Sequence, residues 1–218
     1  AGADHSLAIN SLNKLFGWGN NNSGQLGTWD PSDITEGGKY SFISVQAAAN
    51  FAGIIRSDNT LWMWGSNDYG QLGVGDVVYR SKPTQVPGSY TQLALGVYHS
   101  AAIRTNQTAW CWGRNLNGAL GQGDLVDRSN PAQITGSYTN SWIQITCGGS
   151  GNGYTMGIRF NGSLNNILGW GHDGYGVFGN NSAVSNNTLP VLARSTIAGP
   201  TNWVWVASYY NGAATVAI

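Results

Sequence analysis

Two stretches, WGSNDYGQLGVGD over residues 64–76 and WGRNLNGALGQGD over residues 112–124, are copies of one phrase, and their agreement decides the fold. Outward from them the phrase recurs as WGNNNSGQLG from Trp18 and, in a worn form, as WGHDGYGVFG from Trp170. The dipeptides Trp18-Gly19, Trp64-Gly65, Trp112-Gly113 and Trp170-Gly171 stand 46, 48 and 58 residues apart. Self-similarity at that period marks a propeller, a solenoid or an array, so function is sought in the repeat before any single pocket.

Ahead of each Trp-Gly lies a short apolar segment: HSLAI from His5, FAGII from Phe51, HSAAI from His99 and YTMGI from Tyr154, with a fifth, ATVAI, from Ala214. Downstream, DVVYRSKPTQVPGSY from Asp76 matches DLVDRSNPAQITGSY from Asp124. The repeats fall at 1–46, 47–95, 96–147 and 148–206, with a partial one at 207–218, all in a single repeat domain. Because the chain starts and stops inside repeats, the expectation is part of a longer chain or assembly. Each repeat reads as three or four strands: 99–104, a polar turn, 108–113 with Trp110 and Trp112 on one face, a glycine-rich connection, and an extended segment opened by Pro131. Trp142 to Cys147 alternates and is expected to form an outer strand.

Composition narrows the chemistry. Only 9% of residues are charged and the net charge is zero. With no two basic residues adjacent, the sequence shows no phosphate-binding stripe, and although folding could bring a few together, nucleic acid is not an expected partner. No apolar run is long enough to span a membrane as a helix, and no signal segment opens the chain. Cys111 and Cys147 lack zinc-type spacing; they read as small core residues that could meet across one blade.

The Gly-x-x-His-Ser-x-Ala-Ile opening at 96–103, the Trp-Gly-x-Asn-x-x-Gly-Gln-Leu-Gly centre and the Pro-x-x-Val exit resemble repeats of the regulator of chromosome condensation superfamily. The resemblance runs through the whole chain and is weakest in the fourth repeat, where Val177-Phe178 replaces Gln-Leu and an insertion lies around Asn180 to Asn187. It implies an all-β fold, a β-propeller of four full repeats plus the start of a fifth. It also implies functions found in that superfamily: guanine-nucleotide exchange on small GTPases, chromatin binding and, in secreted members, enzyme inhibition.

Several residues invite a catalytic or metal reading and fail it. His5 and His99 share a slot with Phe51, Tyr154 and Ala214, which makes it a packing position, so no metal site is expected. His172 reads as a turn residue. Residues 169–174 satisfy G-x-G-x-x-G, but no helix follows to hold a dinucleotide. Glu36 is the one glutamate. Asp76 and Asp124 are repeat-equivalent and read as turn caps. No catalytic residues and no cofactor are expected. Trp18, Trp62, Trp64, Trp110, Trp112 and Trp170 read as inter-blade packing, while Trp29, Trp203 and Trp205 stand outside that position. Asn21, Asn106, Asn161, Asn180 and Asn186 begin glycan-acceptor sequences.

Candidate binding residues lie where the repeats agree in frame but differ in side chain. Just before each apolar segment stand Asp4, Asn50, Tyr98, Asn152, and Tyr209 with Tyr210. Loops on a rigid scaffold that carry aromatic and amide groups are a common binding surface. The sequence thus predicts a non-catalytic binding and assembly module, located on a virion (phage tail or fibre) or an extracellular surface. Its expected partner is a protein or a surface glycan, with a multimer or larger assembly as its setting. The alternatives are an exchange factor or chromatin-binding regulator, and a secreted enzyme inhibitor.

Overall fold

The computed structural model describes residues 1–27, 40–174, 176–179, 186–193, 203–208 and 215–217. Every regular element among them is a strand, and no helix is long and apolar enough to cross a membrane. A hairpin of β1 (His5–Ile9) and β2 (Leu15–Gly19) comes first. Three antiparallel four-stranded sheets follow. The first holds β3 (Phe42–Ala47), β4 (Phe51–Arg56), β5 (Leu61–Gly65) and β6 (Arg80–Val86). The next holds β7 (Tyr90–Leu95), β8 (His99–Arg104), β9 (Ala109–Gly113) and β10 (Arg128–Gln133). The third holds β11 (Trp142–Gly148), β12 (Tyr154–Phe160), β13 (Asn165–His172) and β14 (Asn186–Leu192). A pair, β15 (Val206–Ser208) and β16 (Thr215–Ala217), ends the array.

Within each sheet the strands lie in chain order, the meander of a propeller blade. Sheet and sequence repeat are out of phase by one strand, since a repeat begins at the second strand of one sheet and ends on the first strand of the next. The expected outer strand is therefore corrected: Trp142 to Cys147 lies in β11, the first strand of its sheet. With β3, β7 and β15 it borders two adjoining hollows of about 420 and 530 Å3. Alternation in the sequence identified a strand but carries no information about which sheet edge it occupies.

An inner-edge strand leaves backbone N–H and C=O groups that need partners. Glutamines of the preceding sheet supply them. Gln92 donates through Nε2 to the Ile143 carbonyl at 2.6 Å and accepts the Ile145 amide at 3.3 Å. Gln144 treats Val206 the same way, at 2.9 and 2.8 Å. The equivalent position on β3 is Ser44, whose side chain is too short to span the gap.

The two halves of the repeated phrase are joined across sheets. Trp64 Nε1 donates to the Gln25 carbonyl and Trp112 Nε1 to the Gln71 carbonyl, both at 2.9 Å. A Cβ on Gly73 would lie 2.6 Å from Trp112 Nε1, and one on Gly121 would lie 3.0 Å from Trp170 Nε1. Each Gly-x-Leu-Gly turn thus seals the tryptophan of the next sheet. Trp64, Trp112 and Trp170 are wholly buried, but Trp18 is 56% exposed, against the expectation of inter-blade packing. No sheet of the described residues lies ahead of β2 to cover it. Trp62 and Trp110 are half-buried beneath arginines: the Arg104 guanidinium lies 3.5 Å from the Trp110 ring centroid, and Arg56 lies 5.2 Å from that of Trp62.

Cys111 on β9 and Cys147 on β11 are free and buried in one core cluster formed between adjacent sheets. They do not meet across a single blade. Burial pushes the Cys147 thiol up to about 12 and the Cys111 thiol well above its usual value.

Candidate functional site

In a four-stranded meander the first and third connections emerge at the same end of the sheet. Gly19, Gly65, Gly113 and Gly171 have φ of +106, +105, +100 and +96° there. A Cβ on any of them would strike the carbonyl of Asp4, Asn50, Tyr98 or Gly153 respectively. The following amide donates to that same carbonyl: Asn20 to Asp4 and Ser66 to Asn50 at 2.8 Å, Arg114 to Tyr98 at 2.9 Å, His172 to Gly153 at 3.0 Å. The backbone before each second strand is fixed in this way, and its side chains are left free to vary. His172 itself ends β13 and is not part of a turn.

Asp4, Asn50 and Asn152 are exposed and Tyr98 is half-buried. Tyr209 and Tyr210 lie outside the described residues. These positions come one per sheet and do not converge on a point. Instead, Tyr98 and Asn152 each meet the long third connection of the sheet before them. The Tyr98 ring packs edge-on against Tyr69 at 5.2 Å, and the Arg114 guanidinium lies 4.8 Å from Tyr69 and 5.4 Å from Tyr98. Asn117 Nδ2 donates to Asn152 Oδ1 at 3.3 Å. Tyr69 and Asn117 escaped the sequence reading. They stand at one repeat position, just before Gly-x-Leu-Gly, where Ser23 is the counterpart in the first repeat.

The same connections carry a second feature that the sequence reading missed. Asp76 accepts the Val78 amide at 2.9 Å and Arg80 Nη2 at 2.6 Å, and Arg80 Nη1 donates back to the Val78 carbonyl at 2.7 Å. Buried Asn67 donates to the Asp76 and Val78 carbonyls and accepts the Leu72 amide. Asp124, Val126, Arg128 and Asn115 repeat the arrangement, with Asp124 to Arg128 also at 2.6 Å. The amides of Val78 and Val126, then the arginines, hold both carboxyls below the usual range. Asp76 and Asp124 are thus turn caps. What they cap is a pair of rigid tips, Val77-Val78-Tyr79 and Leu125-Val126, in which every side chain is more than half exposed. Apolar groups held out to solvent on braced turns make these tips a candidate interaction surface. The available signal was an apolar pair between Asp and Arg in a segment with no strand partner to bury it.

Charge collects at this end as well, with Asp68, Asp76, Asp124 and Asp127 beside Arg80, Arg114 and Arg128. Asn22, Ser23, Ser66, Asp68 and Tyr79 line a hollow of about 250 Å3 between the first two connections. Among the described residues no three His, Cys, Asp or Glu side chains gather as metal ligands. His99 is buried with Nε2 3.1 Å from Thr155 Oγ1, which itself donates to the Ala119 carbonyl at 2.8 Å. The hydroxyl proton being committed there, the imidazole N–H donates to Thr155. Burial pushes the His99 pKa down to about 4.

The fold has solved counterparts. Human WBSCR16 superposes with a TM-score of 0.76 at 18% identity, covering 94% of this chain and 56% of that one. Prp20p from Saccharomyces cerevisiae, described with its binding to Gsp1p and histones, gives 0.77 at 19% identity over 95% of this chain and 52% of its own. The ectodomain of the receptor kinase CR4 from Physcomitrella patens gives 0.56 at 14% identity, over 95% of this chain and 45% of that one. The chain thus spans about half the length of these solved structures. No curated protein matches it. Two descriptions of the regulator of chromosome condensation (RCC1) repeat match its sequence, one at residues 58–103 and 108–154, the other at 1–25, 42–71 and 90–119. With the strand order, the sealed tryptophans and these matches together, the chain belongs to the regulator of chromosome condensation (RCC1) repeat family.

Proposed function

We propose that this protein is a non-catalytic protein-binding module and that it grips its partner with the end carrying Tyr69, Tyr98, Arg114 and the tips at 77–79 and 125–126. The observation that carries the reading is the pair of tips, whose apolar side chains are held in water by ion-paired, amide-braced turns. A sequence with no use for those side chains would place polar ones there. Tyrosine and arginine beside them are the residue types that dominate binding energy at protein interfaces.

The partner class supported best is a globular protein with a mixed-charge surface, such as a small GTPase. The aspartates and arginines brought to one end are the mixed field that an exchange-factor reading requires, although in sequence they are scattered. Prp20p, with the same fold, is described as binding Gsp1p and histones. A virion or extracellular setting draws no comparable support, and the fold by itself does not choose among settings.

The test is site-specific photocrosslinking in cell extract, with the reactive group at Val78 or Leu125 and, as the opposite-end control, at Phe160. The reading expects a discrete adduct from the two tips that is absent from Phe160. The same adducts from all three positions, or none from the tips, would remove the assignment.

A further inference from the structure

The connections that follow β2, β5 and β9 pack on one another in the same frame. Trp64 bonds the Gln25 carbonyl as Trp112 bonds that of Gln71. A Cβ on Gly24 would lie 2.9 Å from Ser81 Cα, and one on Gly70 2.5 Å from Ser129 Cα. What stands on the frame differs. Between the connections after β5 and β9, the Arg114 guanidinium lies 4.8 Å from the Tyr69 ring centroid and 5.4 Å from that of Tyr98. Between those after β2 and β5, the repeat positions of Tyr69 and Arg114 hold Ser23 and Ser66, and Asn50 stands for Tyr98. Two hydroxymethyl groups do not fill the room of a phenol and a guanidinium, and the hollow of about 250 Å3 lies there.

The walls of the hollow suit the group that is missing from it. Asp68 is exposed; its Oδ2 accepts the Ser66 hydroxyl at 3.0 Å, and its Oδ1 accepts no hydrogen bond among the described residues. Tyr79, 63% exposed, adds an aromatic ring, and Asn22 and Ser23 add further oxygen acceptors. No Lys or Arg lines the space, and Arg80, next in the chain to Tyr79, is committed to Asp76 at 2.6 Å. A guanidinium is planar, stacks on aromatic rings and carries five donors, two of which a carboxylate takes as a fork. We propose, on the reading that this end grips a protein partner, that the hollow receives an arginine side chain of that partner. Its guanidinium stacks on Tyr79 and forks to Asp68, in the room that Arg114 occupies one sheet further on. The chain thus supplies its own arginine at one junction and takes the partner's at the junction before it.

Titration of the isotope-labelled protein with a glycine-arginine-glycine peptide, followed at the backbone amides, tests the site without the partner. The peptide is expected to shift the amides of Ser23, Ser66, Asp68 and Tyr79. A lysine counterpart is expected to bind several-fold more weakly, because an ammonium is a point charge that neither forks nor stacks as a plane. A glutamine counterpart and methyl glucoside, a neutral ring of similar size, are expected to leave these amides unmoved. Asp68→Asn is expected to weaken the arginine peptide about fivefold, the worth of an exposed charge pair. Ser23→Tyr with Ser66→Arg, which copies the next junction, is expected to abolish binding with the remaining amide spectrum unchanged. Unmoved amides with the arginine peptide, equal binding of the lysine peptide or the glucoside, or undiminished binding by either variant would each overturn the proposal. A failed titration beside intact crosslinking removes the arginine site alone, whereas an intact titration beside failed crosslinking removes the partner assignment alone.

Discussion

At the scale of the residue, the least replaceable group is the tryptophan of Trp-Gly. Trp112 is wholly buried and bonded to the preceding sheet, so Trp112→Ala should cost about 3–5 kcal/mol in chemical denaturation. Trp18→Ala should cost little, because its indole is half in water. His99 supplies a pH signature. Its folded pKa of about 4 lies below the unfolded value of about 6.5, so protons bind the unfolded state more strongly. Stability is then flat above pH 6.5 and falls by up to about 3 kcal/mol between there and pH 4. His99→Phe, which puts the ring of Phe51 into the same slot, should flatten that slope in pH-dependent melting. The packing role of this slot was legible because imidazole, phenyl and phenol alternate in it. The exposure of Trp18 was not, since equivalent letters in a repeat do not reveal which copy lacks a neighbour.

At the scale of the element, the sequence announced strands and turns but not their edges. β11 was legible as a strand from the alternation of Ile143, Ile145 and Cys147, yet its inner position rests on Gln92 reaching across 51 residues to its backbone. A contact of that range leaves no local periodicity. Gln92→Ala should destabilise by about 1 kcal/mol, as the loss of a half-buried bidentate contact to a strand edge implies. Ser44→Gln should complete the ladder against β7 and raise the melting temperature. A Ser44→Gln variant that melts at or below wild type would show that the β7 edge needs no such partner. The tips at 77–79 and 125–126 were visible as matching text, but their exposure depends on an Asp–Arg pair folding back across four residues.

At the scale of the whole molecule, sheets that contact only their neighbours make stability a sum of local terms, and the proposed function falls to the end that keeps variable side chains on a fixed frame. That end was partly legible. Asp4, Asn50, Tyr98 and Asn152 mark it, whereas Tyr69, Arg114 and the tips join it only through tertiary packing. The most direct measurement is the affinity of the crosslinked partner for the Arg114→Ala variant and for the double variant Val78→Asp with Leu125→Asp, taken beside their melting temperatures and beside Arg159→Ala at the opposite end. The account predicts at least a tenfold loss of affinity, about 1.4 kcal/mol, for the first two with melting unchanged, and no loss for Arg159→Ala. Undiminished binding by the tip and Arg114 variants, or an equal loss from Arg159→Ala, would contradict it.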